Sequence, residues 1–545
     1  MKPLDWLVVL GYLVGALALG LALARRGTGS VAEFFVGGRS IPWWLVATSM
    51  AATTFNVDTP LYVAGLVARY GVAGNWEWWS FAGAHVLLAV LLARLWRRVG
   101  VVTDAELVEL RYAGRTAAAL RATRAFVFAV PINCIGIGYA MLAMRKVIIA
   151  LGVADRLTFL PGDSRLWAVL AIVLVTLAYT TVSGLWGVVA TDFIQYLLAM
   201  FGAFVVMAYA VHEVGGLGAL SAHFRQIGAG NRITLLPTGT DALLPFTTFL
   251  GYIGIQWWAF RNSDGGGMFV QRLSATATER EATKAAHLFN FLNYVVRTWP
   301  WVLVGLAALI ILPGLADPEM AYPLLMVRYL PTGVLGLVVA SLIAAFMSSV
   351  STQINWGASY IVNDLYGRFS GERDERKLLR AARLASVGLT LLAATLSFFM
   401  ESVGQVFRIM ILVGTGTGAI LLLRWFWWRI NAWTEITALV SGLLLAAATV
   451  FVPAVAGWGF GAKLSFTTFG AMALWVPVLV LTPPEPAERL DAFYARARPP
   501  GAWGPVRART GLAPADSLLR AGRDWLLWVT VILGLTVGVG WGLLR

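Results

Sequence analysis

The sequence predicts an all-α polytopic membrane protein with about 14 transmembrane helices, and three observations lead to this fold class. Hydrophobic residues make up 59% of the 545 residues, whereas charged residues make up only 13%. The apolar residues fall into blocks of roughly 20, which is the length of helix that crosses a bilayer. Basic residues lie in short loops between these blocks. Because an average soluble domain carries about 25% charged residues, an ordinary soluble protein is excluded.

A window of about 19 residues locates the apolar segments in chain order. No small-residue cleavage site follows the first segment, so we expect it to be a retained span rather than a signal peptide. The segments are 4–24, 42–69, 79–97, 118–150, 165–184, 188–212, 243–262, 283–313, 322–365, 381–402, 406–428, 434–453, 464–482 and 525–544.

The charge distribution predicts the orientation. Lys and Arg number 42 against 28 Asp and Glu, which gives a net charge of +14. Because these cations lie in short loops and not on one face, they indicate membrane topology and not nucleic-acid binding. The positive-inside rule then places both termini outside a cell (plasma or inner) membrane. The cations assigned to inner loops include Arg111, Arg124, Arg272 and Arg424.

The longest predicted inner loop is 483–524, which is rich in Pro, Ala and Arg. It is too short and too poor in apolar residues for a catalytic domain. We therefore expect a connector to the last helix.

Two predicted helices are interrupted by polar residues. The second segment holds Asp58 and Pro60 among threonines, and the seventh holds the string RNSDGGG at 261–267. A proline within the membrane removes a backbone hydrogen bond, and an ionisable group at that depth marks a pathway or a site. A kinked helix whose threonines satisfy themselves is the alternative. The interruptions lie five helices apart, an odd interval, so the two halves run in opposite directions, as in inverted-repeat transporters.

This repeat predicts the organisation of the chain, with breaks in the first and sixth core helices of two inverted five-helix repeats. The predicted parts are an extra N-terminal helix with an inner loop (1–41), the first repeat (42–212), an outer loop (213–242), the second repeat (243–430) and additional C-terminal helices (431–545).

A cluster of hydroxyl groups lies in the ninth segment, where Ser348, Ser349, Ser351 and Thr352 occupy about one turn. Hydroxyl and carbonyl oxygens are hard ligands that suit small cations, and a broken helix exposes carbonyls. This pattern predicts a sodium site between the ninth segment and the break in the second. Close packing of helices through small residues is the alternative.

Four strings resemble the sodium/solute symporter family, which includes sodium/proline, sodium/pantothenate and sodium/glucose cotransporters. The family's usual paired glycine is Ser183-Gly184 here. The resemblance implies sodium-driven uptake by alternating access through a core of two inverted repeats. In chain order, the strings are FFVGGRSIPWW (34–44), GLWGVVATDFIQ (184–195), VQRLSATATEREATKAA (270–286) and AAFMSSVSTQIN (344–355).

The same resemblance implies an ion site. The string AAFMSS is similar to the family's sodium-site helix, and MAATTF to the helix opposite it. Asp192, in the string TDFIQ, matches an acidic residue along the inner ion path. The sodium ligands implied are the backbone carbonyls of Ala52, Phe55 and Ala345 and the hydroxyls of Ser348 and Ser349.

The resemblance also implies solute contacts. The string WEWWS (76–80) is similar to the YEW motif of the sugar-transporting branch, which places Glu77 and Ser80 at the solute. Asn293 falls where that branch has a lysine that contacts the substrate. Asp58 and Thr59 fall where it has an acidic and an amide residue.

The sixth core helix departs from the family pattern, because the RNSDGGG insert replaces the usual substrate and gate residues. We expect Asn262 of this insert at the solute. Trp257 and Trp258, just before the insert, are candidates for stacking on it.

Two arginines at solute depth, Arg297 and Arg408, leave two alternatives open. Each could bind a carboxylate of the solute with two parallel hydrogen bonds, or each could neutralise a nearby acidic residue. The solute class therefore stays open between sugars, amino acids and carboxylates. The acidic residues concerned are Asp58, Glu77 and Asp264.

Together these features predict a sodium-coupled secondary active symporter that imports a small polar organic solute. The expected partners are the solute, Na⁺ and the lipid bilayer, with no nucleic acid and no cofactor other than Na⁺. A proton-coupled or non-sodium transporter of the same fold is the main alternative. A channel is disfavoured because no repeated pore filter is visible. An enzyme is not predicted, since the four histidines lack metal-binding spacing and no nucleophile motif is present.

Overall fold

The computed structural model is almost entirely helical. It describes residues 1–24, 37–101, 104–153 and 185–545, together with five single residues between 167 and 174. Apart from those five, the predicted span 165–184 and the Ser183-Gly184 pair lie outside the described residues, as does the start of the first family string, residues 34–36.

The helices of the N-terminal part follow the apolar segments, and polar residues separate them. The predicted second span is divided, because one helix ends at Thr53 and the next begins at Asp58. These helices are α1 (Pro3–Ala24), α2 (Trp43–Thr53), α3 (Asp58–Tyr70), α4 (Val72–Trp79), α5 (Ala82–Val99), α6 (Asp104–Arg111), α7 (Gly114–Ala150) and α8 (Leu185–Glu213).

Side-chain caps begin several helices of the middle part of the chain. Thr278, Asp374 and Ser402 each accept a hydrogen bond from a backbone N–H in the first turn that follows. The helices are α9 (Leu217–Gln226), α10 (246–259), α11 (Met268–Ser274), α12 (Glu279–Ile311), α13 (Ala321–Tyr329), α14 (Val334–Ser370), α15 (Glu375–Phe398), α16 (Val403–Gly414) and α17 (Gly418–Phe426).

The C-terminal part adds two long helices, two short ones and a final long helix. Asn431 and Ser517 cap the first and the last of them. They are α18 (Ala432–Phe451), α19 (Phe460–Leu481), α20 (Ala487–Ala497), α21 (Gly504–Thr510) and α22 (Leu518–Leu544).

Within the described residues, eight helices are long and apolar enough to cross a membrane, or nine if the bent pair α4–α5 counts as one span. The predicted number, about 14, is higher because the prediction counted each broken helix as one continuous span. The pieces α2 and α3, α10 and α11, and α16 and α17 are each too short to cross alone. The segment predicted at 322–365 also divides, because α13 ends at Tyr329 before α14 begins.

One break was not predicted. The segment 406–428 was expected to be one helix, but residues 415–417 separate α16 from α17. The Gly416 N–H donates to the Ala259 carbonyl at 3.2 Å, and Gly416 adopts a φ of +100°, which favours glycine. The break therefore forms because this backbone pairs with the end of α10 and not with its own helix.

The break between α2 and α3 lies at the centre of the bundle. α2 packs against α8 and α12, and it also contacts α14. α3 packs against α12. Side chains from these helices can therefore reach residues 54–57.

The segment predicted as a connector at 483–524 is shorter in the structure, because the last helix already begins at Leu518, and the residues before it are folded and not a loose connector. The Trp503 ring is fully buried, and its indole N–H donates to the Trp425 carbonyl at 2.9 Å. The Glu485 carboxylate accepts backbone N–H groups of Ala113 and Ala432. The apolar residues of α20 form a buried face, although the segment as a whole is poor in apolar residues.

Candidate functional site

The first break has the predicted position. The Thr54 hydroxyl, just after the end of α2, lies within hydrogen-bond distance of the Ala51 carbonyl, at 2.9 Å. Pro60 falls in the first turn of α3, where a missing N–H leaves no helical hydrogen bond unmade. The Ala52 carbonyl, at the end of α2, accepts the Phe55 N–H at 3.1 Å, and a carbonyl oxygen has two lone pairs. It can therefore bind a cation as well.

The five predicted sodium ligands lie on two elements that are in contact. Ala52 and Phe55 lie at the end of α2, and Ala345, Ser348 and Ser349 lie within about one turn of α14, which packs against α2. The Ser349 hydroxyl is buried and has no hydrogen-bond partner among the described residues. This hydroxyl is therefore available to a ligand that the protein itself does not supply. The oxygen donors fit a small hard cation.

Asp192 lies beside this pair of helices and is almost fully buried. Its Oδ1 accepts a hydrogen bond from the Ser348 hydroxyl at 2.9 Å. Its Oδ2 accepts from the Ser49 hydroxyl at 2.6 Å and from Arg272 at 3.2 Å. The Arg272 Nε also donates to the Ser49 Oγ at 2.8 Å. The carboxylate therefore links α2, α8, α11 and α14.

This arrangement corrects one expectation. Arg272 was assigned to an inner loop as a topology signal, but it is buried on α11 and pairs with Asp192. Because a buried charge is costly unless it is paired, the two residues depend on each other. The same correction applies to three other arginines that are buried and not in solvated loops, namely Arg111, Arg124 and Arg424.

Some predicted solute contacts lie at the first break. The Asn293 Oδ1 accepts from the Thr54 hydroxyl at 3.2 Å. Asn293 lies in a π-helical part of α12, and such irregular turns often occur at functional sites. Asp58 is buried, with Oδ1 lacking a hydrogen-bond partner in the described part of the chain. The Thr59 hydroxyl accepts the Asn56 N–H at 3.3 Å.

Arg297, one turn along α12 from Asn293, completes this group. Its Nη1 donates to the Thr54 hydroxyl at 2.9 Å and to the Ala51 carbonyl at 3.4 Å. Its guanidinium carbon lies 5.7 Å from the ring centre of Trp78 and 5.6 Å from that of Trp301. From the sequence, its role stays open between binding a carboxylate of the solute and neutralising an acidic residue.

Other predicted solute contacts form a second group around Glu77, which is fully buried. The Arg408 Nε and Nη2 donate to the Glu77 Oε2 at 2.8 and 2.6 Å. The hydroxyls of Tyr62 and Tyr252 also donate to this carboxylate, at 2.9 and 2.6 Å. Arg408 therefore neutralises Glu77, one of the two alternatives that its position allowed.

Ser80 belongs to the same group. Its hydroxyl accepts from the Gln256 Nε2 at 3.2 Å, and Gln256 also donates to the Glu77 carbonyl. Gln256 was not predicted as part of the site. The group around Glu77 joins α3, α4, α10 and α16.

The structure does not bring Trp258 and Asn262 to the first break. The Trp258 indole donates to the Gly254 carbonyl of its own helix at 2.7 Å. The Asn262 carbonyl accepts the Gly265 N–H within a tight turn. The Trp257 ring stacks on Trp525 of α22, with 5.0 Å between the ring centres.

The second break is held by its own charged residue, Asp264. Its Oδ2 accepts from Arg424 at 2.7 Å and from the Trp425 indole at 3.3 Å, and its Oδ1 accepts the Gly266 N–H at 3.0 Å. The Trp96 indole donates to its carbonyl at 2.6 Å. Both carboxylate oxygens of Asp264 therefore accept hydrogen bonds from the protein.

Asp264 belongs to a buried chain of charges, here called the Asp264 network, which consists of Asp104, Arg124, Asp264, Arg424 and Glu435. Arg424 and Arg124 both pair with Glu435, at 3.3 and 2.8 Å. Arg124 also pairs with Asp104 at 2.5 Å. The network fixes the second break to α6, α7, α17 and α18.

Comparison with known proteins places the chain among sodium-coupled symporters. The model of the sodium:solute symporter family matches residues 34–444. A sodium/glucose cotransporter of Vibrio parahaemolyticus is 26% identical, over 83% of this chain and 86% of the relative. Sodium/glucose cotransporter 2 of Rattus norvegicus is 24% identical, over 82% of this chain and 71% of the relative.

A solved structure shares the fold. It is a Na⁺-coupled sialic acid symporter in a substrate-bound, outward-open state. It superposes with a TM-score of 0.68 at 20% identity, over 89% of this chain and 98% of that chain.

Proposed function

Because the chain belongs to the sodium:solute symporter family, it is a multi-pass, sodium-coupled solute transporter, and we propose that its sodium ion binds between the first break and α14. The observation that carries this proposal is the Ser349 hydroxyl, which is buried on α14, a helix in contact with α2, and has no partner in the described protein. The proposed ligands are the carbonyls of Ala52, Phe55 and Ala345 with the hydroxyls of Ser348 and Ser349.

The geometry suggests how the ion would act on the solute. An ion held by α14 and by the last carbonyls of α2 would fix the shape of residues 54–57. The solute would bind on the other side of those residues, at Asp58, Thr59 and Asn293. Because coupling between two binding sites is reciprocal, the solute should tighten sodium binding by the same factor.

Asp192 would lie along the inner ion path. Its carboxylate contacts the Ser348 hydroxyl directly, so loss of the ion and rearrangement of Ser348 would be linked. The direction of transport would be import across the cell membrane, because the inwardly directed sodium gradient would drive the coupled solute inward.

The group around Glu77 has a separate proposed role. It ties α3 to α4, α10 and α16 through Tyr62, Tyr252 and Arg408, and it leaves the Glu77 carboxylate no free oxygen. We propose that these bonds close the solute route on the α3 side and rearrange during alternating access. Glu77, Ser80 and Arg408 would then contact the solute only in the open state.

The test is a thermal melt of the detergent-purified protein in NaCl and in KCl at equal ionic strength. A ligand that binds only the folded state raises the melting temperature by mass action. We expect Na⁺ to raise the melting temperature of the wild type and not that of Ser349→Ala. Equal melting of the wild type in both salts would contradict the sodium site.

Ser351→Ala is the matched control. Its hydroxyl lies on the same helix at similar burial, but it donates to the Ser348 carbonyl of its own helix at 3.0 Å. Na⁺ should still stabilise this variant. Ser348→Ala is a poorer probe, because it also removes a hydrogen bond from Asp192.

A further inference from the structure

We propose that the transported solute is a small zwitterion, whose carboxylate binds Arg297 and whose ammonium group binds Asp58. The proposal deepens the proposed function and rests on it, since it assigns the chemical class of the solute. It rests on two buried charges of opposite sign beside the first break, each with unused hydrogen-bonding capacity.

The first step concerns Arg297, which is 4% exposed. A guanidinium has five N–H donors. In the described chain Arg297 uses only Nη1, its Nε has no partner, and it forms no ion pair with a carboxylate. A buried cation without an anion is costly, so the site favours an anionic ligand.

Comparison with the other buried arginines supports this step. Arg111 satisfies itself with three backbone carbonyls, at 3.1–3.2 Å. Three more pair with carboxylates of the protein, which are Glu435 for both Arg124 and Arg424 and Asp192 for Arg272, and the half-buried Arg408 pairs with Glu77. Arg297 differs from both kinds, because it has a single backbone carbonyl acceptor, that of Ala51 at 3.4 Å, and no carboxylate partner among the described residues.

The second step concerns Asp58. Its Oδ1 is buried and unpartnered within the described chain. The Tyr139 hydroxyl is a close neighbour of this carboxylate, and the Arg297 guanidinium lies near enough to interact with it without forming an ion pair in the described structure. The carboxylate and the guanidinium are therefore held near one another without neutralising one another through a direct contact.

The third step compares the solute classes. A neutral sugar would leave both charges without a counter-ion, and a simple carboxylate would bring its charge close to Asp58. A zwitterion gives each charge an opposite partner, and charge-assisted hydrogen bonds are about twice as strong as neutral ones. The rings of Trp78 and Trp301 beside Arg297 would hold the guanidinium and exclude water from the pair.

The test uses the wild-type protein in saturating NaCl, melted with each of the twenty protein amino acids and with glycine betaine. D-glucose and propanoate serve as the neutral and anionic probes. At least one zwitterion should raise the melting temperature. Its deaminated and its decarboxylated analogue should each need at least about tenfold higher concentration for the same shift, because each loses one charge pair.

Two variants assign the charges. In Asp58→Asn, the zwitterion and its deaminated analogue should bind within about threefold of each other, since the ammonium group has lost its partner. In Arg297→Gln, the zwitterion and its decarboxylated analogue should become similar. A purely structural role for either residue would weaken all ligands together and would leave these ratios unchanged. Arg297→Lys, which keeps the charge but loses the planar fork, should restore part of the discrimination.

The outcomes separate this proposal from the sodium site. If Na⁺ stabilises the wild type but no zwitterion does, or if only D-glucose or propanoate does, the zwitterion assignment is overturned and the sodium site stands. If Na⁺ has no effect but a zwitterion stabilises the protein in KCl, the solute class is supported and the sodium site is not. Should a variant fail to fold, the analogue series on the wild type decides.

Discussion

The two breaks of the inverted repeats both place polar residues within an apolar segment, but they differ in whether the protein itself pairs the buried charges. At the first, Asp58, Ser349 and Arg297 each keep a polar atom without a partner in the described chain. At the second, Asp264 accepts hydrogen bonds from Arg424, Trp425 and Gly266, and the unpartnered Nε atoms of Arg124 and Arg424 belong to guanidiniums that are already paired with carboxylates. A buried charge without a counter-charge costs stability, so it favours a ligand of opposite charge. The comparison teaches that a polar break is a candidate binding site where the protein leaves a buried charge unpaired.

The largest expected effect is on stability, and it comes from a substitution at the second break, where the charges are paired. Asp264→Ala removes the partner of Arg424 within a buried network, and loss of one member of a buried ion pair costs about 3–5 kcal/mol. We expect a large fall in melting temperature in detergent, without ligands. A change of less than about 0.5 kcal/mol, the size of an ordinary surface substitution, would show that the network does not hold the break.

Asp58→Asn tests the first break, and it should affect transport and not stability. Since Asp58 lacks an ion-pair partner in the described structure, neutralising it should leave the melting temperature of the ligand-free protein unchanged or raise it. Transport in proteoliposomes should be lost, because the carboxylate would be needed only when the solute binds. Full transport by this variant would return Asp58 to a structural role.

The smallest effect is expected from residues that the sequence placed at the solute but the structure places at the second break. Trp258→Ala and Asn262→Ala should change the concentration of solute needed for half-maximal uptake by less than about threefold, which corresponds to about 0.6 kcal/mol. Asn293→Ala, at the first break, is the matched comparison and should weaken uptake more. A stronger effect from Trp258→Ala than from Asn293→Ala would remove the distinction between the two breaks.

Much of the fold could be predicted, because polar residues within apolar segments are visible in a sequence. Asp58 and Pro60 predicted the first break, and RNSDGGG predicted the second. The break at 415–417 was missed because its cause is distant, namely the pairing of Gly416 with Ala259. The break therefore depends on backbone contacts that no local pattern records.

For the candidate site, the sequence located some of the residues but not the contacts between them. Resemblance located Asp192 and the hydroxyls of Ser348 and Ser349, since these lie in a compact motif. It could not show that Arg408 would pair with Glu77, because the two residues are 331 positions apart. Whether an arginine meets a carboxylate of the chain or remains available depends on tertiary contacts alone.

The folded segment that precedes the last helix has a consequence for synthesis. Asp516 pairs with Arg94 and Arg98 of α5, and the Trp525 indole donates to the Gly83 carbonyl of the same helix. Arg94 and Asp516 are 422 residues apart. At about 5–20 residues per second, the ribosome needs roughly 20–80 seconds to synthesise the residues that separate α5 from these partners. One face of an early helix therefore stays uncovered during translation until nearly the whole chain has been made.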